Sequence, residues 1–203
     1  MTALDDVARP QWPTRGSEDH VLWTFLDFER ATLAKKCAGL TTEQLATKSM
    51  PPSNLSLLGL LRHSVDHEIY WYEQIFLGRD TASAFESNSD PDFDFNGLES
   101  ASVETVVDQW LRQCEISRSI VAGRSLDDAR AVTPDFLEAP VPLRLLAVQS
   151  IEEYARHTKL VSERTTDQPR APLPAPLPLP TPSVKTLLVA AWFCSDIGPC
   201  VPT

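Results

Sequence analysis

Glycine is scarce in this chain, with seven in 203 residues. Phosphate-cradling and dinucleotide-binding loops are built on clustered glycines. No such cluster occurs, and neither does a Gly-x-Ser-x-Gly nucleophile turn. Basic residues are also in deficit. Eighteen Lys and Arg stand against 28 Asp and Glu, for a formal net charge of -10, and no basic patch stands out. Phosphate binding rests on Lys and Arg, so nucleic acid and anionic lipid are not expected as partners. Long apolar runs are absent too: the nearest, Leu187 to Cys194, is far short of the ~20 residues that span a bilayer. The opening residues, Met1 to Asp6, are acidic and lack the apolar core of a leader. No membrane attachment is expected, and a cytoplasmic location follows by default. The four cysteines (Cys37, Cys114, Cys194, Cys200) are scattered, without metal-site spacing, and read as free thiols.

The residues that are present favour helices. Residues 1–16, with Pro10, Pro13 and Gly16, read as an irregular lead-in. Ser17 then precedes an amphipathic run, Glu18 to Ala38, with acidic residues in its first turn and Gly39 after its last. Thr41 to Leu45 predicts a single short turn of helix. A second helix is predicted from about Ser56 to Leu77, its core stripe being Leu57, Leu58, Leu61, Val65, Ile69, Tyr72 and Phe76. Residues 79–101 lack helical period and predict a long loop anchored by Phe93 and Phe95, of the kind that often packs over a site. Ser102 caps a third helix that ends at Gly123, with Val103, Val106, Val107, Trp110, Cys114 and Ser117 along one side. Pro140 and Pro142 introduce a fourth, about Leu143 to Arg164, with Leu145, Leu146, Val148, Ile151, Tyr154 and Leu160 as its stripe. Four helices of about 20 residues without a strand signal indicate an all-α four-helix bundle over residues 17–167, expected in up-down-up-down order.

The chain changes character after Arg164. Half of the residues from Pro169 to Pro182 are proline, much of it alternating X-Pro. That composition favours extended polyproline II over helix. Residues 168–203 are read as a proline-rich, disordered tail, with a ligand for a proline-reading module as the alternative.

Chemistry concentrates at Ile151-Glu152-Glu153-Tyr154-Ala155-Arg156-His157. Glu153 and His157 are four residues apart and share one helix face. Buried polar groups must be paired, so they form either a core pair or part of a binding site. Together with His63 on the second helix they form a two-histidine, one-carboxylate set suited to a divalent first-row metal with open positions. Donors of such a site should converge to about 3–4 Å of one another. His67, four residues after His63, makes a rival pair. Glu68 and Glu73 read as solvent-facing charges, His20 as a surface residue, and Tyr154 and Arg156 as pointing away from the cluster.

Several segments in order resemble the actinobacterial mini-circle protein branch of the DinB-like superfamily. They are Leu-Asp-Phe-Glu-Arg-Ala-Thr-Leu-Ala-Lys-Lys-Cys-Ala-Gly-Leu (26–40), Leu-Ser-Leu-Leu-Gly-Leu-Leu-Arg-His (55–63), Tyr-Trp-Tyr (70–72), Asp-Phe-Asp-Phe-Asn-Gly (92–97) and the heptapeptide 151–157. The resemblance covers about residues 10–166. It implies a four-helix bundle holding zinc or nickel through one histidine of the second helix and two ligands of the last, here His63, Glu153 and His157. It also implies S-transfer with a low-molecular-weight thiol such as mycothiol, and hence a small-molecule substrate; a homodimer is compatible with it. Relatives in this branch often carry a histidine four residues before the glutamate and another three after the last ligand. Gln149 and Leu160 occupy those positions here. Two further readings stay open: a non-catalytic stress or interaction protein with a vestigial site, and a metal-dependent hydrolase or isomerase.

Overall fold

A computed structural model describes residues 3–48, 53–87, 89–130 and 139–162. The chain divides into two units, Met1–Asp167 and Gln168–Thr203. The second, and with it the expected proline-rich tail, lies outside the described residues.

Helix α1 (Glu18–Cys37) opens with Glu18 and Asp19 and closes with Lys35 and Lys36, a charge order that complements the helix dipole. Ser17 occupies the N-cap with extended backbone, but its hydroxyl makes no capping bond. Gly39 follows the helix at φ +74°, where a side chain would be strained although the space is open. The short α2 (Thr42–Ala46) is held by a capping box between Thr41 and Gln44. Helix α3 (Leu57–Glu68) starts at Ser56, whose hydroxyl accepts from the Gly59 N–H at 3.0 Å. It does not continue as a regular α-helix to Leu77, because Ile69–Phe76 is wound as a π-helix. The segment expected as a plain loop contains a one-turn helix, α4 (Phe93–Asn96), followed by a 3-10 turn, Leu98–Ser100. Helix α5 (Val103–Val121) begins at Ser102, whose hydroxyl accepts from the Thr105 N–H. Two short strands, β1 (Ala129–Arg130) and β2 (Val141–Pro142), pair antiparallel and lead into α6 (Leu143–Ser162). No strand signal is visible in the sequence, since a two-residue ladder has no period to detect.

Helices α1, α3, α5 and α6 form the bundle. Leu26, Leu33, Leu58, Leu61, Phe76, Trp110 and Leu146 are among its fully buried side chains. Truncating one such leucine to alanine typically costs about 2–5 kcal/mol. The expected stripes of α3 and α5 are buried or packed against this core. The stripe of α6 differs from expectation. Leu145 and Val148 are exposed, at 45% and 50%, and the buried face is Leu143, Leu146, Ala147, Ser150, Tyr154 and Thr158. Small residues there let α1 and α3 approach, and size is not visible to an apolar-period count.

The helix order is up-down-down-up, a correction to the expected alternation. Leu58 and Val103 line one groove, Glu68 meets Cys114 at 3.9 Å, and Arg124 lies over the Phe76 ring, so α3 and α5 run parallel. Helix α6 runs against them: Ser150 meets His67 and Tyr72, while Glu153 meets His63. Helix α1 does the same, with Arg30 against Glu68 and Leu26 sharing a crevice with Tyr72. The connection from α3 to α5 is long enough to return along the bundle, which a short antiparallel link could not do.

One buried polar network ties all four helices. Arg30 of α1 donates twice to Glu68 of α3, at 2.8 and 2.7 Å. Tyr154 of α6 donates to Glu68 at 2.8 Å and accepts from the Trp110 indole of α5 at 3.0 Å. Glu68 is completely buried and Glu73 nearly so, where both are read from the sequence as solvent-facing. Burial would raise the Glu68 carboxyl, but the Arg30 guanidinium outweighs it and holds it below its ordinary value.

Candidate metal centre

His63 projects from the cavity-facing side of α3, and Glu153 and His157 from successive turns of α6. Their donor atoms meet at one point. Glu153 Oε1 lies 3.2 Å from His63 Nε2 and 2.6 Å from His157 Nε2, and one donor atom from each of the three lies within 4.8 Å of the other two. The side chains are partly buried, at 28%, 18% and 21% exposure. Hydrogen bonding by the two imidazoles, first His157 and then His63, holds the Glu153 carboxyl well below the carboxylate range.

His63 is oriented by a residue that sequence reasoning missed. Its Nδ1 lies 2.8 Å from Asp94 Oδ2 on α4, which directs Nε2 toward Glu153. Phe95 stacks on the same imidazole with ring centroids 5.1 Å apart. Burial disfavours the imidazolium, but Asp94 and then Glu153 outweigh it and raise His63 to about 9. The α4 segment is itself pinned by Arg62, which is fully buried and donates to the Phe93 carbonyl at 2.9 Å and to the Gly97 carbonyl. Gly97 is required by close approach, since a Cβ there would sit 2.3 Å from the Phe93 ring. Phe93 and Phe95 thus anchor the segment as expected. The role of Asp94 has no local signal, because it is 31 residues from its partner and only the fold joins them.

The rival pairing of His63 with His67 does not form. His67 is buried, contacts Ser150 Oγ at 3.2 Å, and is pushed down to about 4 by burial. Tyr154 turns into the core network, Arg156 pairs with Glu152 on the surface, and His20 is exposed. Gln149 lines the site one turn before Glu153, and its buried Oε1 has no hydrogen-bond partner in the protein. Leu160 lies in the last turn of α6, and its side chain is outside the described residues.

A cavity of about 420 Å³ opens beside the cluster, walled by Tyr70, Trp71 and Phe85 and by the polar groups of Asp66, Gln74 and Gln149. The donor chemistry and its convergence suit a divalent cation: two imidazole nitrogens and one ionised carboxylate, with a carboxylate behind one histidine. His157 Nδ1 is buried without a partner, so the ring's polar bonding is concentrated at Nε2, inside the cluster.

Fold and cluster together place the protein among DinB-like four-helix bundles. The chain belongs to the mycothiol-S-transferase family, whose model matches residues 21–158. That span includes His63, Asp94, Glu153 and His157. No curated protein and no solved structure matches the chain. Among the described residues, no helix is long and apolar enough to cross a membrane.

Proposed function

We propose that this protein is a divalent-metal-dependent S-transferase that uses a low-molecular-weight thiol of the mycothiol type. His63, Glu153 and His157 would hold the cation, zinc or nickel. The observation that carries the reading is the convergence of their donors on Glu153 Oε1 at the edge of a ligand-sized cavity; the family match supports it. A cation held there supplies positive charge that lowers the pKa of a thiol beside it and favours the thiolate, the stronger nucleophile.

The protein's own residues do the rest. Asp94 fixes His63 in the tautomer that presents Nε2 to the cluster. Phe95 stacks on the imidazole, and Tyr70, Trp71 and Phe85 form the aromatic side of the cavity in which the reacting groups would meet. Once the thiol has lost its proton to solvent, its sulfur attacks an electrophilic carbon of the acceptor. A C–S bond forms and the leaving group departs with the electron pair.

The test is direct. Purified full-length protein should carry close to one zinc or nickel per chain, His63→Ala and His157→Ala should lose it, and loaded protein should consume mycothiol in the presence of a reactive electrophile. Unchanged metal content in His157→Ala would sink the reading.

A further inference from the structure

The cavity beside the cluster has an electrostatic character that the family match does not specify. Its lining includes four carboxylates, Asp66, Glu86, Asp94 and Glu153, and among the described residues no Lys or Arg. Arg62, the nearby buried cation, is engaged by the Phe93 and Gly97 carbonyls and lies over the Phe85 and Phe93 rings. Asp66 is fixed in place, accepting from the Ala84 and Phe85 N–H groups at 2.6 and 2.9 Å. The apolar wall has a distinct shape as well. Tyr70 and Trp71 stand edge to face, ring centroids 5.2 Å apart at 82°, on the π-helical segment that bears them both.

We propose that this cavity receives the acceptor of the transfer and selects one that carries an amine on an apolar or aromatic body, in preference to a carboxylate. A divalent cation offsets two of the four carboxylate charges, so the lining remains net negative with or without it. An ammonium group is attracted by that field and by the aromatic rings of Tyr70 and Trp71 that line the cavity, whose quadrupoles favour cations. In the metal-free cavity an entering carboxylate meets like charge and finds no guanidinium or ammonium in the described lining to bind it, and the His63 imidazole is already engaged on both nitrogens by Asp94 and Glu153. The role as acceptor rests on the transferase proposal; the charge preference rests on the cavity lining alone.

The experiment compares three probes of one shape: phenethylamine, cationic at neutral pH; 2-phenylethanol, uncharged; and 3-phenylpropionate, anionic. Each is titrated into full-length protein, zinc-loaded and zinc-free, with binding read by ligand-detected NMR. In the zinc-free form the amine should bind at least about tenfold more tightly than the carboxylate, with the alcohol between them; in the zinc-loaded form an open position on the cation accepts the carboxylate and the ratio should be smaller. Glu86→Gln, an exposed change, should narrow that ratio, and Trp71→Ala should weaken all three probes. In the zinc-free protein, equal binding of amine and carboxylate, a preference for the carboxylate, no binding by any probe, or amine binding indifferent to Trp71→Ala would each overturn the proposal. The zinc-free titration separates it from the metal reading: a protein that holds no zinc but keeps the amine preference refutes the metal centre and leaves the cavity assignment standing.

Discussion

His63 Nδ1 and Asp94 Oδ2 lie 2.8 Å apart, joining the middle of α3 to a one-turn helix 31 residues later in the chain. This contact sets which imidazole nitrogen faces Glu153 and His157. Replacing Asp94 with Asn should leave the fold intact and weaken zinc binding by about 10–100-fold, the usual cost of losing a carboxylate behind a ligating histidine. A competition titration with a chromophoric chelator, alongside circular dichroism, measures both. Undiminished affinity in a folded Asp94→Asn protein would refute the positioning role.

Zinc affinity should also rise with pH. His63 in the metal-free protein is raised to about 9, so at neutral pH a cation must displace its proton. Affinity is expected to increase between about pH 6.5 and 9, with proton release on binding visible as a buffer-dependent heat by calorimetry. A flat profile would mean that His63 is not displaced.

Glu68 and Arg30 carry the opposite kind of prediction, on stability. Glu68→Ala leaves a fully buried guanidinium without its carboxylate and should destabilise the bundle by about 3–5 kcal/mol. Tyr154→Phe removes one hydroxyl between Glu68 and Trp110 and should cost about 1–3 kcal/mol. Urea unfolding followed by tryptophan fluorescence measures both. A loss below 1 kcal/mol for Glu68→Ala would mean that the network contributes nothing net.

His67 gives the bundle an acid limit. Burial holds it down to about 4 in the folded state, against an ordinary value of 6.5. Between those values the unfolded chain binds the proton and the folded one does not. The residue's contribution is therefore complete above about pH 6.5 and is lost as pH falls toward 4, by up to ~3 kcal/mol. The urea midpoint of the wild type should drop more steeply from pH 7 to 5 than that of His67→Gln. Parallel slopes would show that the buried imidazole is not responsible.

Cys37 and Cys114 should resist alkylation in the native protein. Both are 1–2% exposed, and burial pushes both thiols up to about 12, far from the reactive thiolate. Iodoacetamide at pH 8 followed by peptide mapping should leave them unmodified until denaturant is added. Rapid labelling of Cys114 under native conditions would contradict its place in the core.

Much of this protein is legible in its sequence because the signals are local and periodic. The bounds of α1 and α5 follow from caps, glycines and apolar spacing within one or two residues, and α6 starts at Leu143 as expected. The pair Glu153 and His157 is fixed by helical geometry alone, and the stripe from Leu57 to Phe76 is buried across α3 and the π-helical segment that follows it. What the tertiary structure decided involves partners far apart in the chain. A lone glutamate in a helical pattern reads as solvated, yet Arg30, 38 residues away, allows Glu68 to be buried. Ser150 outranks Val148 on the inner face of α6 because close packing selects size and hydrogen bonding, not apolarity alone. The parallel course of α3 and α5 depends on a long connection whose path has no period. Sequence established a four-helix bundle with a carboxylate and an imidazole on one face of its last helix. Only the fold brought His63 to them, set Asp94 behind it, and left a carboxylate-rich aromatic cavity alongside, because His63 lies 90 residues from Glu153 and 31 from Asp94, and the cavity lining is gathered from segments spread between His63 and Glu153.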